Sequence, residues 1–502
     1  MSSGEWTAKW LRDSVGLEAE RHLTGGVHVT TRRDRFGRET YKSVGARNVE
    51  QLRRRYTWDM GNRLLVARDE ITGRVARYDY DEFDNLIAAE YERGGEVERL
   101  YRVPDRMGNL FETRERDDRR YDAGGQLAED REYFYHYDCE GNLVFKEFKE
   151  LSRGGNVIAP INKERFETEL GIRFRAFGTG WRYDWQSDGM LARVVRPDGK
   201  EVSFAYDALG RRIRKTYAGT TTHFVWDGNV PLHEWTEEAE ESMVTWLFEQ
   251  DTFVPAAKLV ANGECFSIIS DYLGTPLQAY DKQGNKIWEQ ELDIYGRQRK
   301  RPSAFIPFKY QGQYEDAETG LYYNRFRYYD PNAGSYISQD PIRLNSRMYN
   351  FYSYVSSTNH TIDIFGLDWN YVLVNSNGDI YYHGKASDQQ KLQDVARRHA
   401  GNQGKDGARF GEGDTLKRKT PINTDYDTVR GIEQRGISEN KLLGRGNENV
   451  RGNKINGISE AKQKTIIGKK RLANADSYLL GKKASELPTL DELNYNDFKG
   501  HH

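Results

Sequence analysis

The sequence predicts a mainly β chain: a large wound sheet built from repeated hairpins, then a small α/β domain. Three observations predict it. An aromatic-rich motif with an Asp turn recurs through the first 300 residues. The composition pairs 32 Tyr and 48 Gly with a hydrophobic fraction of only 37%, which suits short, half-exposed strands joined by tight turns. The repeat then stops near residue 367, where Asn, Lys and Gly rise.

The repeats read YTWDMGNRL at Tyr56–Leu64, YDYDEFDNL at Tyr78–Leu86, YRVPDRMGNL at Tyr101–Leu110, YHYDCEGNL at Tyr135–Leu143, YDWQSDGML at Tyr183–Leu191 and FAYDALGRR at Phe204–Arg212. Each is a strand, a turn with Asp and usually Gly, and a second strand. Asp-x-x-Gly or Asp-x-Gly supplies positive φ where the hairpin needs it. Aromatics at alternate positions pack one sheet face, and charged residues between them face water. The spacing is uneven, about 20 to 45 residues, so a wound sheet is expected rather than a strict solenoid.

Composition excludes other classes. An aromatic fraction of 13% argues against disorder. Two cysteines, Cys139 and Cys265, cannot make a disulfide framework, which points to assembly in a reducing compartment. No run approaches the roughly 20 apolar residues of a membrane-spanning helix. The first residues, MSSGEWTAKWLRDSV, lack the apolar core of a signal peptide. From Asp368 on there are 23 Lys and Arg against 18 Asp and Glu, a net +5, leaving −7 for the remainder. A mildly basic tail on an acidic body suits a polyanion-binding module.

The Tyr-Asp dipeptides ahead of a turn, as in Tyr206-Asp207-Ala208-Leu209-Gly210-Arg211, resemble the YD repeats of Rhs proteins and teneurins. In that family the repeats spiral into a hollow β-cocoon, and the number found here implies a partial one. The segment Gly320–Leu344, GLYYNRFRYYDPNAGSYISQDPIRL, resembles the end of the Rhs core, and Asn350–Leu367, NFYSYVSSTNHTIDIFGL, resembles its closing motif. The expected organisation is a repeat shell over 1–300, a core-closing region over 301–367 and a C-terminal toxin domain over 368–502.

The resemblance also implies self-cleavage after Leu367. Two carboxyls act there as acid and base, with a nearby Arg separating their pKa values. Arg327, Asp340 and Asp363 match that set, with the scissile bond at Leu367–Asp368. His360 stands where the family has Pro, and Ile364 replaces the Pro after the second Asp. As isolated residues the two aspartates would read as strand-capping turn formers.

In the tail, Trp369–Asn375 and Asp379–Gly384 flank Asn377-Gly378, a strong hairpin signal. Leu392, Val395, Ala396 and Ala400 mark an amphipathic helix over 388–400, with Ser387 or Asp388 as its N-cap. A strand over 415–422 and a second helix from about 425 to 438 follow. This order resembles the GIY-YIG (URI) nuclease fold. The resemblance implies Tyr371, Tyr382, Arg397 or Arg398, His399 and Glu433 as catalytic residues, and Glu433 as ligand of a single Mg²⁺. Lys385, Lys417, Arg418, Asn453 and Asn456 are candidates for contacting nucleic acid, with DNA favoured over RNA. Departures are Trp369-Asn370 in place of Gly-Ile, His383 in place of the central Ile, and a long Gly-to-Arg interval. Singly, the tyrosines read as core aromatics, the arginines as solvated residues at a helix end, and Glu433 as a surface residue.

Phosphodiester hydrolysis suits these residue types. Tyr or His can take a proton from water, Arg can grip the phosphate, and one carboxylate can hold a Mg²⁺ that keeps several waters. An ADP-ribosyltransferase tail and a non-enzymatic repeat fragment are the competing readings. A zinc deaminase is disfavoured because no Cys lies beyond Cys265. The implied role is an interbacterial toxin. It would be made in the bacterial cytoplasm, exported without a signal peptide by a type VI secretion tip protein, active in the target cytoplasm, and countered by an immunity protein.

Overall fold

The structure is a computed structural model of the 502-residue chain. It describes residues 1–14, 16–149, 180–237, 239–250, 252–299, 305–340, 350–355, 357–359, 361–363, 368–375, 380–387, 414–419, 432, 435, 483, 489 and 491–494. The chain divides into two compact units, Met1–Ile364 and Phe365–His502.

The first unit is a β-meander. Among the described residues, ten antiparallel strands run in sequence order from Ser2–Ser3 to Glu96–Tyr101, and fifteen from Arg120–Tyr121 to Lys286–Glu289. All six hairpins read from the repeats are present in this ladder or beside it. Alternation works as expected. In the strand Tyr133–Tyr137 the residues Tyr133 and Tyr135 are buried while His136 is exposed.

In five of the six repeats an Asp opens the turn and builds it; in Tyr183–Leu191 Gln186 stands at that place, and Asp188 accepts the Met190 backbone N–H at 3.1 Å. Asp59 Oδ1 accepts the backbone N–H groups of Gly61 and Arg63, at 2.8 and 2.9 Å. Asp81, Asp138 and Asp207 repeat the same two bonds. The other carboxylate oxygen takes a side chain four residues on: Asn85 at 2.8 Å, Asn142 at 3.1 Å or Arg211 Nε at 2.6 Å. These are Asx-turns, which pre-form the loop and satisfy backbone donors that strands leave over. The third residue after the Asp is left-handed, as at Gly210 (φ 72°). Gly is the usual residue at this place, as expected, and two turns use another residue. Asn62 (φ 67°) rather than Gly61, and Asp84 (φ 65°), occupy it. Short polar side chains tolerate this region by local hydrogen bonding.

In five of the six repeats an aromatic precedes the turn and stitches it to the previous one. Tyr80 Oη donates to the Leu64 carbonyl at 2.9 Å, and Tyr206 Oη to Leu191 at 2.8 Å. Trp58 Nε1 donates to Glu39 at 2.7 Å, and Trp226 Nε1 to Arg212 at 2.7 Å. Each acceptor is the first residue after the preceding turn. The aromatic therefore buries a ring and satisfies a carbonyl at once.

The two long sheets share a core. Trp6, Val27, Val44 and Leu52 of the first pack against Ala256, Ile269, Leu277 and Tyr280 of the second, and Trp6 Nε1 donates to Ser267 Oγ at 3.0 Å. The closing region belongs to this unit. Its strands Tyr314–Asp316, Leu321–Asn324, Arg327–Asp330 and Ser335–Tyr336 form a four-stranded sheet. Leu321, Tyr323 and Tyr328 enter the core beneath the fifteen-strand sheet. No helix among the described residues is long and apolar enough to cross a membrane.

The described part of the second unit is a four-stranded antiparallel sheet in the order Ile380–Ser387, Asp368–Val374, Thr415–Arg418, Asp491–Asn494. The hairpin is present. The strand expected over 415–422 is described as strand only from Thr415 to Arg418. The strand Asp491–Asn494 was not anticipated. Of the two expected helices, that over 388–400 lies outside the described residues. In the second, Ile432 and Arg435 are helical, and Ile432 is buried.

Candidate functional site

The closing sheet positions a buried charged cluster. Strands Leu321–Asn324 and Arg327–Asp330 pair with Asn324 opposite Arg327, and Tyr329 lies opposite Tyr336. The tight link between the first two strands is made by left-handed Arg325 (φ 56°). Asn324, Arg327 and Tyr336 are all buried, and so is Asp363, which arrives from the closing motif.

Asp363 is the hub. Arg327 Nη2 donates to its Oδ2 at 2.8 Å, and Tyr336 Oη donates to the same oxygen at 2.9 Å. Asn324 Nδ2 donates to the Asp363 carbonyl at 2.9 Å and to Tyr336 Oη at 2.7 Å. The guanidinium of Arg327 also lies 3.5 Å from the Tyr336 ring centroid. A charge taken from water this completely needs a partner and hydrogen bonds, and Asp363 has both. Burial, reinforced by the Asp363 carboxylate, pushes the Tyr336 hydroxyl well above its ordinary pKa. It therefore stays protonated and able to donate. Tyr354, whose hydroxyl lies 3.5 Å from the Asp363 backbone nitrogen, is shifted the same way by burial first and Asp363 second.

The structure thus brings Arg327 and Asp363 together. Asp340 is half-buried, four residues past Tyr336, and its backbone N–H donates to the Phe351 carbonyl at 2.6 Å. Leu367 lies outside the described residues. Tyr336 and Asn324 were not anticipated as part of the cluster. Both stood in the quoted GLYYNR…GSYIS stretch, but nothing local to the sequence says that they meet Asp363.

Other buried charges fasten the closing region to the wound sheet. Lys146 Nζ lies 2.9 Å from Asp330, and Arg212 Nη1 lies 2.6 Å from Asp316. Arg119 donates to the Ala333 carbonyl at 2.6 Å, and Arg102 to Val355 at 2.6 Å. In each case the repeat sheet supplies the cation and the closing region the acceptor.

In the second unit the register sets Tyr371 opposite Gly384 on one side and Arg418 on the other, while Tyr382 pairs with Leu373. Lys385 pairs with Asn370, and Lys417 with Val372. The sheet therefore carries both tyrosine positions and three of the basic ones. Lys417 Nζ lies 3.4 Å from Glu492, so one of these cations is already paired. Arg397, Arg398, His399, Glu433, Asn453 and Asn456 lie outside the described residues. Among the described residues no group of three or more His, Cys, Asp and Glu gathers to hold a metal.

Residues 172–360 match the Teneurin YD-shell family. Double-stranded DNA deaminase toxin A of Burkholderia cenocepacia is 28% identical over 412 residues, covering 73% of this chain and 26% of that protein. The probable deoxyribonuclease RhsA of Dickeya dadantii is 26% identical over 385 residues, covering 69% of this chain and 24% of its own. Toxin protein Tse5 of Pseudomonas aeruginosa is 31% identical over 341 residues, covering 58% of this chain and 25% of its own. The chain spans about a quarter of the length of these relatives. The match to the YD-shell family spans residues 172–360, and the relatives support an Rhs-type toxin as the kind of protein this chain resembles.

Proposed function

We propose that this chain is an Rhs-type toxin whose repeat unit cuts the backbone after Leu367 and frees a nucleic-acid-cleaving C-terminal segment. The observation that carries the reading is the buried Arg327–Asp363 pair. Its Asp363 stands four residues before Leu367, in a chain similar to toxin proteins. In the cleavage, Asp340 and Asp363 serve as the acid–base pair. A water adds to the Leu367 carbonyl carbon and gives one proton to the basic carboxylate. The acidic carboxyl protonates the Asp368 nitrogen as the C–N bond breaks. The products are a Leu367 carboxylate and a new amino terminus at Asp368. Asp340→Asn or Asp363→Asn stops the reaction and leaves one uncut chain on a denaturing gel. Cutting at the same bond in both variants would overturn the assignment.

The freed segment is proposed to hydrolyse phosphodiesters in a GIY-YIG-like manner. Tyr371, Tyr382, Arg397, Arg398, His399 and Glu433 are the reactive set, and Lys385, Lys417, Arg418, Asn453 and Asn456 contact the strand. Glu433 is the proposed Mg²⁺ ligand; a bound divalent cation would supply charge neutralisation at the phosphate. Deoxyribonuclease in the name of one relative supports nucleic acid as the target, with DNA favoured. Export through a secretion tip protein, action in a target cytoplasm and an immunity partner complete the proposal. Residues 368–502 expressed in bacteria should arrest growth with DNA loss, and Glu433→Ala should abolish both. Arrest with intact nucleic acid would redirect the reading to group transfer, and no arrest would leave a structural repeat protein.

A further inference from the structure

The Asp363 environment contains more than the charged pair that self-cleavage needs, and the extra parts are ordered in a chain. Asn324 Nδ2 donates to Tyr336 Oη at 2.7 Å. That bond occupies a lone pair of the phenol oxygen, so the phenolic hydrogen turns outward to its acceptor, Asp363 Oδ2, at 2.9 Å. The second Asn324 bond, to the Asp363 carbonyl at 2.9 Å, fixes the backbone that carries this carboxylate. Arg327 stacks on the Tyr336 ring while bonding the same carboxylate oxygen. One phenol therefore touches both halves of the ion pair, and one amide holds the phenol and the backbone.

We propose that Tyr336, oriented by Asn324, is a positioning residue that fixes the rotamer of Asp363 for cleavage after Leu367. The inference rests on the self-cleavage reading above and adds to it the groups that aim one of its carboxylates. Carboxylate placement to within about half an ångström separates productive from unproductive geometry in preorganised sites. The groups facing Asp363 are the charged Arg327 and the neutral phenols of Tyr336 and Tyr354. Tyr336 couples to both the side chain of Asp363 and that of Arg327.

Tyr336→Phe keeps the ring and its contact with Arg327 and removes only the hydroxyl. The full chain is made by cell-free synthesis, quenched at intervals and followed as loss of the uncut band on a denaturing gel, from pH 5.5 to 8.5. Tyr336→Phe should lengthen the half-time roughly ten- to a hundred-fold, the loss expected for a hydrogen bond to a charged group, and Asn324→Ala roughly two- to ten-fold, the loss expected for bonds between neutral groups. In Tyr336→Phe the shape of the pH–rate profile should also change, because the donor that Tyr336 gives the Asp363 side chain is gone. Tyr322→Phe is the control. It removes an equally buried hydroxyl, which donates to Gly296 at 2.8 Å away from Asp363, and should leave rate and profile unchanged. Equal half-times and profiles for wild type and Tyr336→Phe overturn the proposal. So does equal slowing in Tyr322→Phe, which marks a merely structural effect. A wild-type chain that never cuts instead refutes the self-cleavage reading itself.

Discussion

Replacing Lys146 by Met tests whether buried ion pairs fasten the closing region to the repeat sheet. Lys146 and Asp330 are both buried and 2.9 Å apart. The ammonium also lies 4.4 Å from the Tyr133 ring centroid. Burial works against ionisation of Asp330, but the Lys146 charge and hydrogen bond and the backbone N–H groups of Asn332 and Ala333 hold its pKa below the ordinary value. Met fills most of the volume, so the main loss is electrostatic. Removing one partner of a buried pair costs about 3–5 kcal/mol. Asp330 Oδ1 keeps its bond from Asn332 at 2.9 Å, so the lower end, about 3 kcal/mol, is expected. The sign follows from linkage. In wild type the depressed carboxylate contributes stability above its unfolded pKa of about 4, and that contribution is lost as pH falls through the folded value. In the variant burial dominates, the carboxyl becomes easier to protonate, and acid relieves the penalty. The gap between the two proteins should be about 3 kcal/mol at pH 7 and shrink toward pH 4. Equilibrium urea unfolding followed by tryptophan fluorescence reads it. A gap below about 1 kcal/mol at pH 7, or one that does not change with pH, would mean that the Lys146–Asp330 pair does not fasten the closing region.

Gly210→Ala places a methyl group 2.5 Å from the Phe326 ring at a residue with φ +72°. It should lower stability by about 1–3 kcal/mol in the same urea assay. Cys139 is exposed and Cys265 buried, and burial holds the Cys265 thiol above its ordinary pKa. A thiol reagent should therefore modify one cysteine in the native chain at pH 8 and the second only after unfolding. Peptide mapping identifies which reacts first.

The hairpins were legible because each is local. An Asp, a left-handed residue three places on and an Arg or Asn four places on write one turn into five residues. The stitching was not. Whether Trp58 reaches the carbonyl of Glu39 depends on how far the sheet twists between successive turns, which strand spacing does not state. The closing sheet was recognisable from its resemblance, yet its fastening was not. Lys146 and Asp330 are 184 residues apart, and their pairing exists only after the sheet has wound. The same holds for the candidate site. Arg327 and Asp363 could be named from an ordered motif, but Tyr336 reads as one more core tyrosine until Asp363 arrives from 27 residues on. In the tail, strand Asp491–Asn494 pairs with Thr415–Arg418 across a gap of more than 70 residues, and its own residues, Asp-Glu-Leu-Asn, carry little strand propensity.

The proposed function turns on cleavage after Leu367 by Asp340 and Asp363. Intact mass and amino-terminal sequencing of the purified full chain, beside Asp340→Asn, test it most directly. Wild type should give two fragments, the second beginning Asp-Trp-Asn-Tyr at Asp368, and the variant one 502-residue chain. A single uncut wild-type chain, or a second fragment beginning elsewhere, would contradict it.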